Sequence, residues 1–375
     1  MLPSVKRVLI IGVFFSSAFL YTRVFSQDAT FSDPLNNKSY FHPTNINVLK
    51  GFEAGCNYQT NLLGVVPNPQ TGFFYFNGSY KINNKVFLGQ GFSIMNDVEG
   101  KTPQLRTTSF KANLINFKWF YKKNDGLNCE NFFNRPLISM GLYAGFFSKS
   151  INSSELIFSK QIESWSSTPV STSQLQMYDS QTRADIGGNI QIRFPISNLF
   201  IFNSDTWSGD LSYSVHHLQS PSRNRVANTE ASFIIQNQNI ILPRYNVLSF
   251  YLLNKNLKSQ EIFVQYEFQR PIKRLSAGIN FFLNSQLSMC TALSSYKLDD
   301  WQKNINTLIT TINFFPPKLA NREMVKSYKL FFTYTSVLSG VGYAPLINKF
   351  GSIQVGIKFF RNNDCNQKTN DCPTF

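Results

Sequence analysis

The chain has 375 residues, with 36 Lys and Arg against 21 Asp and Glu, for a formal charge of +15. Only 15% of the residues are charged and another 15% are aromatic, including 37 Phe and 16 Tyr, whereas an average soluble domain carries roughly 25% charge. Mean hydropathy is slightly negative, which excludes a bundle of apolar membrane helices. Strands that are apolar on one side only, as in a membrane β-barrel, reconcile these figures.

In chain order, Lys6 and Arg7 precede an apolar run from Val8 to Leu20, and Val24-Phe25-Ser26 places small residues at the −3 and −1 positions of a cleavage site. Residues 1–26 therefore read as a signal peptide, the run being short of the ~20 residues a spanning helix needs. Cleavage before Gln27 removes Lys6, Arg7 and Arg23 and no acid, leaving +12. Export to the outer membrane argues against a nucleic-acid partner, and the bases are scattered rather than gathered in a run, so they read as solvated loops and lumen side chains. Residues 27–46, QDATFSDPLNNKSYFHPTNI, follow. Pro34 and Pro43 forbid a regular central strand there. Phe31, Leu35, Tyr40 and Phe41 are too apolar for a free tail. The expectation is a periplasmic or plug-like segment that folds back and packs these side chains against the barrel end or within it.

Residues 47–362 read as an outer-membrane β-barrel. Period-two alternation is sharpest in four stretches. In 183–194, Ala184, Ile186, Gly188, Ile190, Ile192 and Phe194 share one face, while Arg183, Asp185, Asn189, Gln191 and Arg193 share the other, expected to line the lumen. In 209–216, Leu211, Tyr213 and Val215 oppose Asp210, Ser212, Ser214 and His216. In 260–269, Ile262, Val264, Tyr266 and Phe268 oppose Glu261, Gln265 and Glu267. In 351–360, Ile353, Val355, Ile357 and Phe359 oppose Ser352, Gln354 and Lys358. Further strand candidates are 51–60, 71–83, 85–96, 108–121, 136–147, 230–236, 246–253, 273–283, 286–296, 304–314 and 327–338, with one pair between 154 and 178. About 14 strands in an antiparallel transmembrane barrel is the resulting fold prediction, since bacterial barrels usually use even numbers. Aromatics in Trp119-Phe120-Tyr121, Phe331-Phe332 and Phe359-Phe360 are assigned to strand ends at the membrane interfaces. A soluble propeller or sandwich is disfavoured, because no blade-length repeat and no linker is present. Residues 363–375 form a polar tail. Its Cys365 and Cys372 are a candidate disulfide, and no pair among the five cysteines has C-x-x-C spacing for zinc.

No catalytic set, cofactor site or metal site emerges. His216 and His217 are neighbours, and on a strand neighbours point to opposite faces, so they are not expected to converge on a metal. Asp299 and Asp300 diverge for the same reason. Glu261 and Glu267 lie about 20 Å apart along a strand, too far for a glycosidase pair. There is no G-x-S-x-G elbow, and Gly187-Gly188 is not followed by a phosphate-loop pattern.

Several segments, taken in order, resemble the PorP/SprF family of outer-membrane proteins of the type IX secretion system of Bacteroidota. Gln27-Asp28 and Phe31-Ser32 stand where that family has Q-D and F-S. His42-Pro43-Thr44 stands where it has N-P-A, so its Asn and Ala are replaced. Residues 57–80 are similar to its early Y-R-N-Q-W region but lack the Arg and Trp. Residues 91–100 resemble its G-x-x-x-x-x-D-x-x-G turn, carried by Asp97 and Gly100. Residues 136–161 and 185–194 resemble its central hairpin and following strand. His217-Leu218 and Pro221 reproduce its H-L-x-x-P. A late acidic H-E motif is absent, marking a divergent member. The resemblance implies a barrel without catalysis, embedded in outer-membrane lipid. It also implies support for secretion or surface anchoring of a cognate adhesin or sorting-domain cargo, and contact with the periplasmic ring or lipoproteins of that machine. The alternative is a porin-like or hydrophobic-substrate channel.

Overall fold

A computed structural model describes residues 31–44, 51–61, 70–83, 85–99, 105–120, 136–151, 180–196, 207–218, 244–254, 261–269, 272–284, 286–298, 304–316, 325–339 and 351–362. The strands are β1 (Gly51–Asn61), β2 (Gln70–Lys81), β3 (Val86–Glu99), β4 (Leu105–Phe120), β5 (Leu137–Ile151), β6 (Ser180–Ile196) and β7 (Trp207–His216), then β8 (Tyr245–Asn254), β9 (Glu261–Gln269), β10 (Ile272–Phe282), β11 (Leu287–Leu298), β12 (Ile305–Phe314), β13 (Val325–Ser339) and β14 (Ser352–Asn362). Each pairs antiparallel with its sequence neighbours, and β1 pairs with β14 from Gly51↔Asn362 to Asn61↔Ser352, which closes the ring. Closure leaves no open edge, the condition for a sheet to stand in hydrocarbon. The strand candidates at 230–236 and between 154 and 178 lie outside the described residues, and the ring passes through β5, β6, β7 and β8 without them. Residues 1–26, the 363–375 tail and Cys365 and Cys372 also lie outside.

The alternation resolves as the sequence implies. Ile186, Ile190, Ile192, Leu211, Tyr213, Val264, Tyr266, Val355 and Phe359 are exposed outward, while Asp185, Asn189, Gln191, Asp210, Ser212, Ser214, Gln265, Gln354 and Lys358 are buried inward. The exterior is thus an apolar belt and the interior is polar, the section of a transmembrane barrel. Across β1 to β5 the belt carries a ladder of near-parallel phenyl rings, Phe52, Phe76, Phe92, Phe110 and Phe146, with interplanar angles of 23° to 28°.

Three expectations need correction. Phe331-Phe332 is not an interfacial pair: it sits mid-strand in β13, where Phe331 is buried inward and Phe332 faces out. Phe120 likewise turns inward, against Phe87 and Leu137. Where a strand alternates regularly, adjacent residues point to opposite faces, so only one ring of each such pair meets lipid. Asp97 is not in a turn, but in β3, inward and 7% exposed, accepting from Thr71 Oγ1 at 2.5 Å.

β4 also departs from a single uninterrupted alternation. Its pairing with β5 jumps from Asn113↔Tyr143 to Ile115↔Leu142, leaving Leu114 as an extra residue. The bulge inverts the parity. Thr107, Ser109 and Lys111 face in before it and Asn116 and Lys118 after it, while Leu114 and Ile115 both face out. The signal is present in LRTTSFKANLINFKWF, where polar residues shift from odd to even positions across Asn113.

Candidate functional site: a plug seated in the lumen

Residues 31–44 occupy the barrel interior, and all except the half-buried Lys38 are buried. Their local shape follows from their own side chains. The Asp33 carboxylate accepts from the Leu35 and Asn36 amides at 2.9 and 3.3 Å, an Asx turn built around Pro34. One helical turn, Lys38–Phe41, follows and ends at His42, whose amide donates to the Lys38 carbonyl at 2.8 Å. Pro43 cannot continue it.

The apolar residues of this plug reach both sides of the wall. Phe31, Tyr40 and Phe41 join Phe73, Tyr75, Met95, Tyr245 and Val247, so the rings bridge β2 and β3 to β8. Phe31 meets Tyr40 edge-on at 4.8 Å, and Tyr40 meets Phe73 at 5.5 Å. Leu35 enters a second cluster with Tyr251, Phe263, Cys290 and Ile309.

The polar residues of the plug are met almost all the way round. Ser32 donates its amide to Gln59 on β1 and pairs its hydroxyl with Ser352 on β14. Asp33 accepts from Thr311 on β12 at 2.8 Å and Thr333 on β13 at 3.4 Å. Asn36 donates to Asn313, and Asn37 joins Asn57 and Gln354. Lys38 forms an ion pair with Glu261 on β9. Thr44 bonds Asn189 on β6, and Asn113, at the β4 bulge, donates to the Pro43 carbonyl at 3.0 Å. Arg274 on β10, 1% exposed, clamps the start of the segment: Nη1 donates to the Phe31 carbonyl and Nη2 to the Ser32 carbonyl, each at 2.7 Å, with Glu267 at 3.3 Å as counter-ion. A planar guanidinium suits two successive carbonyls because its donors lie in one fixed fork.

All three histidines of the chain gather here. His42 lies between the Ser214 and Ser249 hydroxyls, the latter 2.8 Å from Nε2. Burial holds its imidazole down at about 3, with the Asp210 carboxylate opposing and the Lys38 ammonium adding to the depression. His216 Nε2 is 3.0 Å from the Phe41 carbonyl. A carbonyl only accepts, so the proton is on Nε2, and Nδ1 accepts from Tyr143 at 2.9 Å and Lys111 at 3.3 Å. His217 is also inward, 2% exposed and 2.9 Å from Asp185. The expectation of opposite faces fails because β7 ends at His216 and His217 has φ 57°, a left-handed turn that swings its side chain back to the lumen. Among the described residues, no three His, Cys, Asp or Glu side chains are placed to hold a metal.

Of the residues singled out by sequence, Phe31, Ser32 and Pro43 belong to the plug, and Asp185, Asn189, Arg193, Asp97 and His217 to the wall around it. Arg183 is half-buried and Leu218 is exposed at the end of β7. Arg193 forms an ion pair with Asp210 at 2.8 Å. Gln27, Asp28, Gly100 and Pro221 lie outside the described residues. Arg274 and Asn113 had no sequence signal: a lone inward base and a lone Asn look like any other lumen residue.

No family model matches the chain, and no curated protein matches its sequence. Its fold is similar to that of the CymD monoaromatic hydrocarbon channel, at 8% identity and TM-score 0.52, over 87% of this chain and 92% of that one. Weaker likenesses extend to a Pseudomonas aeruginosa FadL homologue, at 8% identity and TM-score 0.44 over 84% and 90% of the two chains, and to the translocator domain of the autotransporter NalP from Neisseria meningitidis, at 9% and 0.34 over 88% and 95%.

Proposed function

We propose that this chain is an outer-membrane barrel that works by docking rather than by open conduction, an accessory of type IX secretion that supports export or surface anchoring of an adhesin or sorting-domain cargo. The observation that carries the docking half is the plug. Residues 31–44 are bonded to β1, β2, β4, β6, β7, β8, β9, β10, β12, β13 and β14, so the segment crosses the lumen and is held from most of the wall. The type IX half rests on the ordered resemblance of Gln27-Asp28, Phe31-Ser32, Pro43 and His217-Leu218 to the PorP/SprF pattern. Catalysis has no part in this reading, and the partners are outer-membrane lipid, the cargo, and the periplasmic ring or lipoproteins of the machine. Orientation follows from the connections. The two longest connections, β5–β6 and β7–β8, join strand ends at the rim opposite Gly51 and Asn362, as does the two-residue β9–β10 link, while the four-residue β2–β3 and β10–β11 connections join strand ends at the same rim as those residues. The longest connections are extracellular in such barrels, so on this reading the rim bearing Gly51 faces the periplasm.

The test has two arms. In a planar bilayer the purified barrel is expected to show no steady ohmic current, and a steady open pore would sink the docking reading. A sorting-domain protein from the same cell is expected to co-purify with it through detergent and high salt. The fold likeness to CymD favours a second reading, a gated channel for a hydrophobic solute in which the plug moves aside. Uptake of a monoaromatic compound by vesicles bearing the barrel, abolished by locking the plug to the wall, would support that reading over docking.

A further inference from the structure

Most buried bases in the described lumen are matched. Lys111 lies 3.8 Å from Asp185, Arg193 is paired with Asp210, and Arg274 with Glu267. Lys118 and Lys149 also have partners. Lys329 and Lys358 differ. They stand directly opposite each other on β13 and β14, both inward, at 7% and 3% exposure. Among the described residues neither has a carboxylate within 4 Å. Facing residues on paired strands have Cβ atoms about 5 Å apart, and like charges there are destabilising.

The acids that both feel at longer range are Asp33 and Glu261, with Lys38 as a further base, and Lys358 also feels Glu53. Each of these acids is already engaged. Asp33 accepts from two amides, Asn36, Thr311 and Thr333. Glu261 is paired with Lys38, and Glu53 accepts from the Tyr75 hydroxyl at 2.5 Å. Lys329 Nζ lies 5.7 Å from the Phe315 centroid, and the Phe331 ring covers Gly356, two residues from Lys358 on β14. Gly55, opposite Lys358 on β1, brings no charge of its own and is covered by the Tyr75 ring.

We propose that Lys329 and Lys358 form an oxyanion site on the lumen wall near the rim that bears Gly51. One carboxylate or phosphate bridges the two ammoniums and relieves their repulsion. The site is distinct from the plug contacts and does not depend on the type IX reading.

The test is thermal unfolding and titration calorimetry of the full barrel in a non-ionic detergent. Probes are inorganic phosphate, decanoate, decanol and, at matched ionic strength, chloride. Saturable stabilisation is expected with phosphate, decanoate or both, and none with decanol or chloride. Equal binding of phosphate and decanoate identifies a free oxyanion as sufficient, and much tighter decanoate identifies an amphiphile head. Lys358→Met is expected to weaken binding roughly tenfold or more, the loss of one charge-assisted bond, while Lys358→Arg keeps it. If Lys358→Met does not assemble, Lys329→Gln serves the same purpose. No saturable effect of either oxyanion, or unchanged binding in Lys329→Met/Lys358→Met, would overturn the proposal.

Discussion

On β9 the outward Ile262, Val264, Tyr266 and Phe268 and the inward Glu261, Gln265 and Glu267 interleave within nine residues, and they obey different rules. The outward set meets a fluid apolar solvent, so each member needs to be hydrophobic and little more. The inward set meets named partners: Glu261 holds Lys38, Gln265 accepts from Ser249 at 3.0 Å, and Glu267 accepts from Tyr245 at 2.8 Å and pairs with Arg274. One face is specified by type and the other by identity. The difference teaches where a substitution in this barrel is felt as chemistry and where it is felt only as hydropathy.

The largest expected effect that sharpens this contrast is at Arg274. Arg274→Ala removes both clamps on the plug and leaves Glu267 buried without its cation, which costs about 3–5 kcal/mol. Unfolding by denaturant in detergent should show that loss, together with faster proteolysis of residues 31–44. Leu248→Arg on the outward face of β8 is expected to cost about 2–4 kcal/mol, whereas Leu248→Ile stays within about 1.5 kcal/mol. If the Ile variant were as harmful as the Arg variant, the outward face would be specified by identity after all.

Acid supplies the third probe. His42 is neutral in place because burial holds it at about 3, below the ordinary 6.5. The released plug takes up a proton below pH 6.5 while the seated plug does not, so its contribution is complete above that pH and is lost on descending towards 3. By pH 5 the loss is about 2 kcal/mol, seen as looser plug protection in hydrogen exchange, and His42→Gln is expected to flatten the dependence. The smallest effect is at the bulge. Asn113→Ala removes the bond to the Pro43 carbonyl and costs about 1 kcal/mol, read as a modest rise in exchange at residues 42–44 with the barrel itself unchanged.

Much of the fold was legible because alternation is local. The faces of β6, β7, β9 and β14 follow from neighbours two apart, and the β4 parity slip is written in the run from Ser109 to Lys118. The apolar and proline content of residues 27–46 reads as a periplasmic or plug-like segment, and its described part, 31–44, is buried apart from Lys38. Illegible were His217, whose direction depends on a single left-handed φ, and the aromatic pairs, where composition invited an interfacial reading that geometry divides between two faces.

Residue chemistry at period two was enough to require a closed barrel, apolar outside and polar within, because only a hydrogen-bonded ring satisfies every backbone group in hydrocarbon. Which lumen residue meets which was decided by tertiary structure alone. Arg274 reaches a carbonyl 243 positions away in the chain, and Asp33 reaches a hydroxyl 300 positions away. Such pairings depend on which wall positions closure brings to the level of the plug, and no local pattern encodes that. In sequence Lys358 was one polar-face residue among several, and Lys329 carried no signal. The β13–β14 register sets them face to face, and the packing around them leaves no carboxylate within ion-pair distance among the described residues.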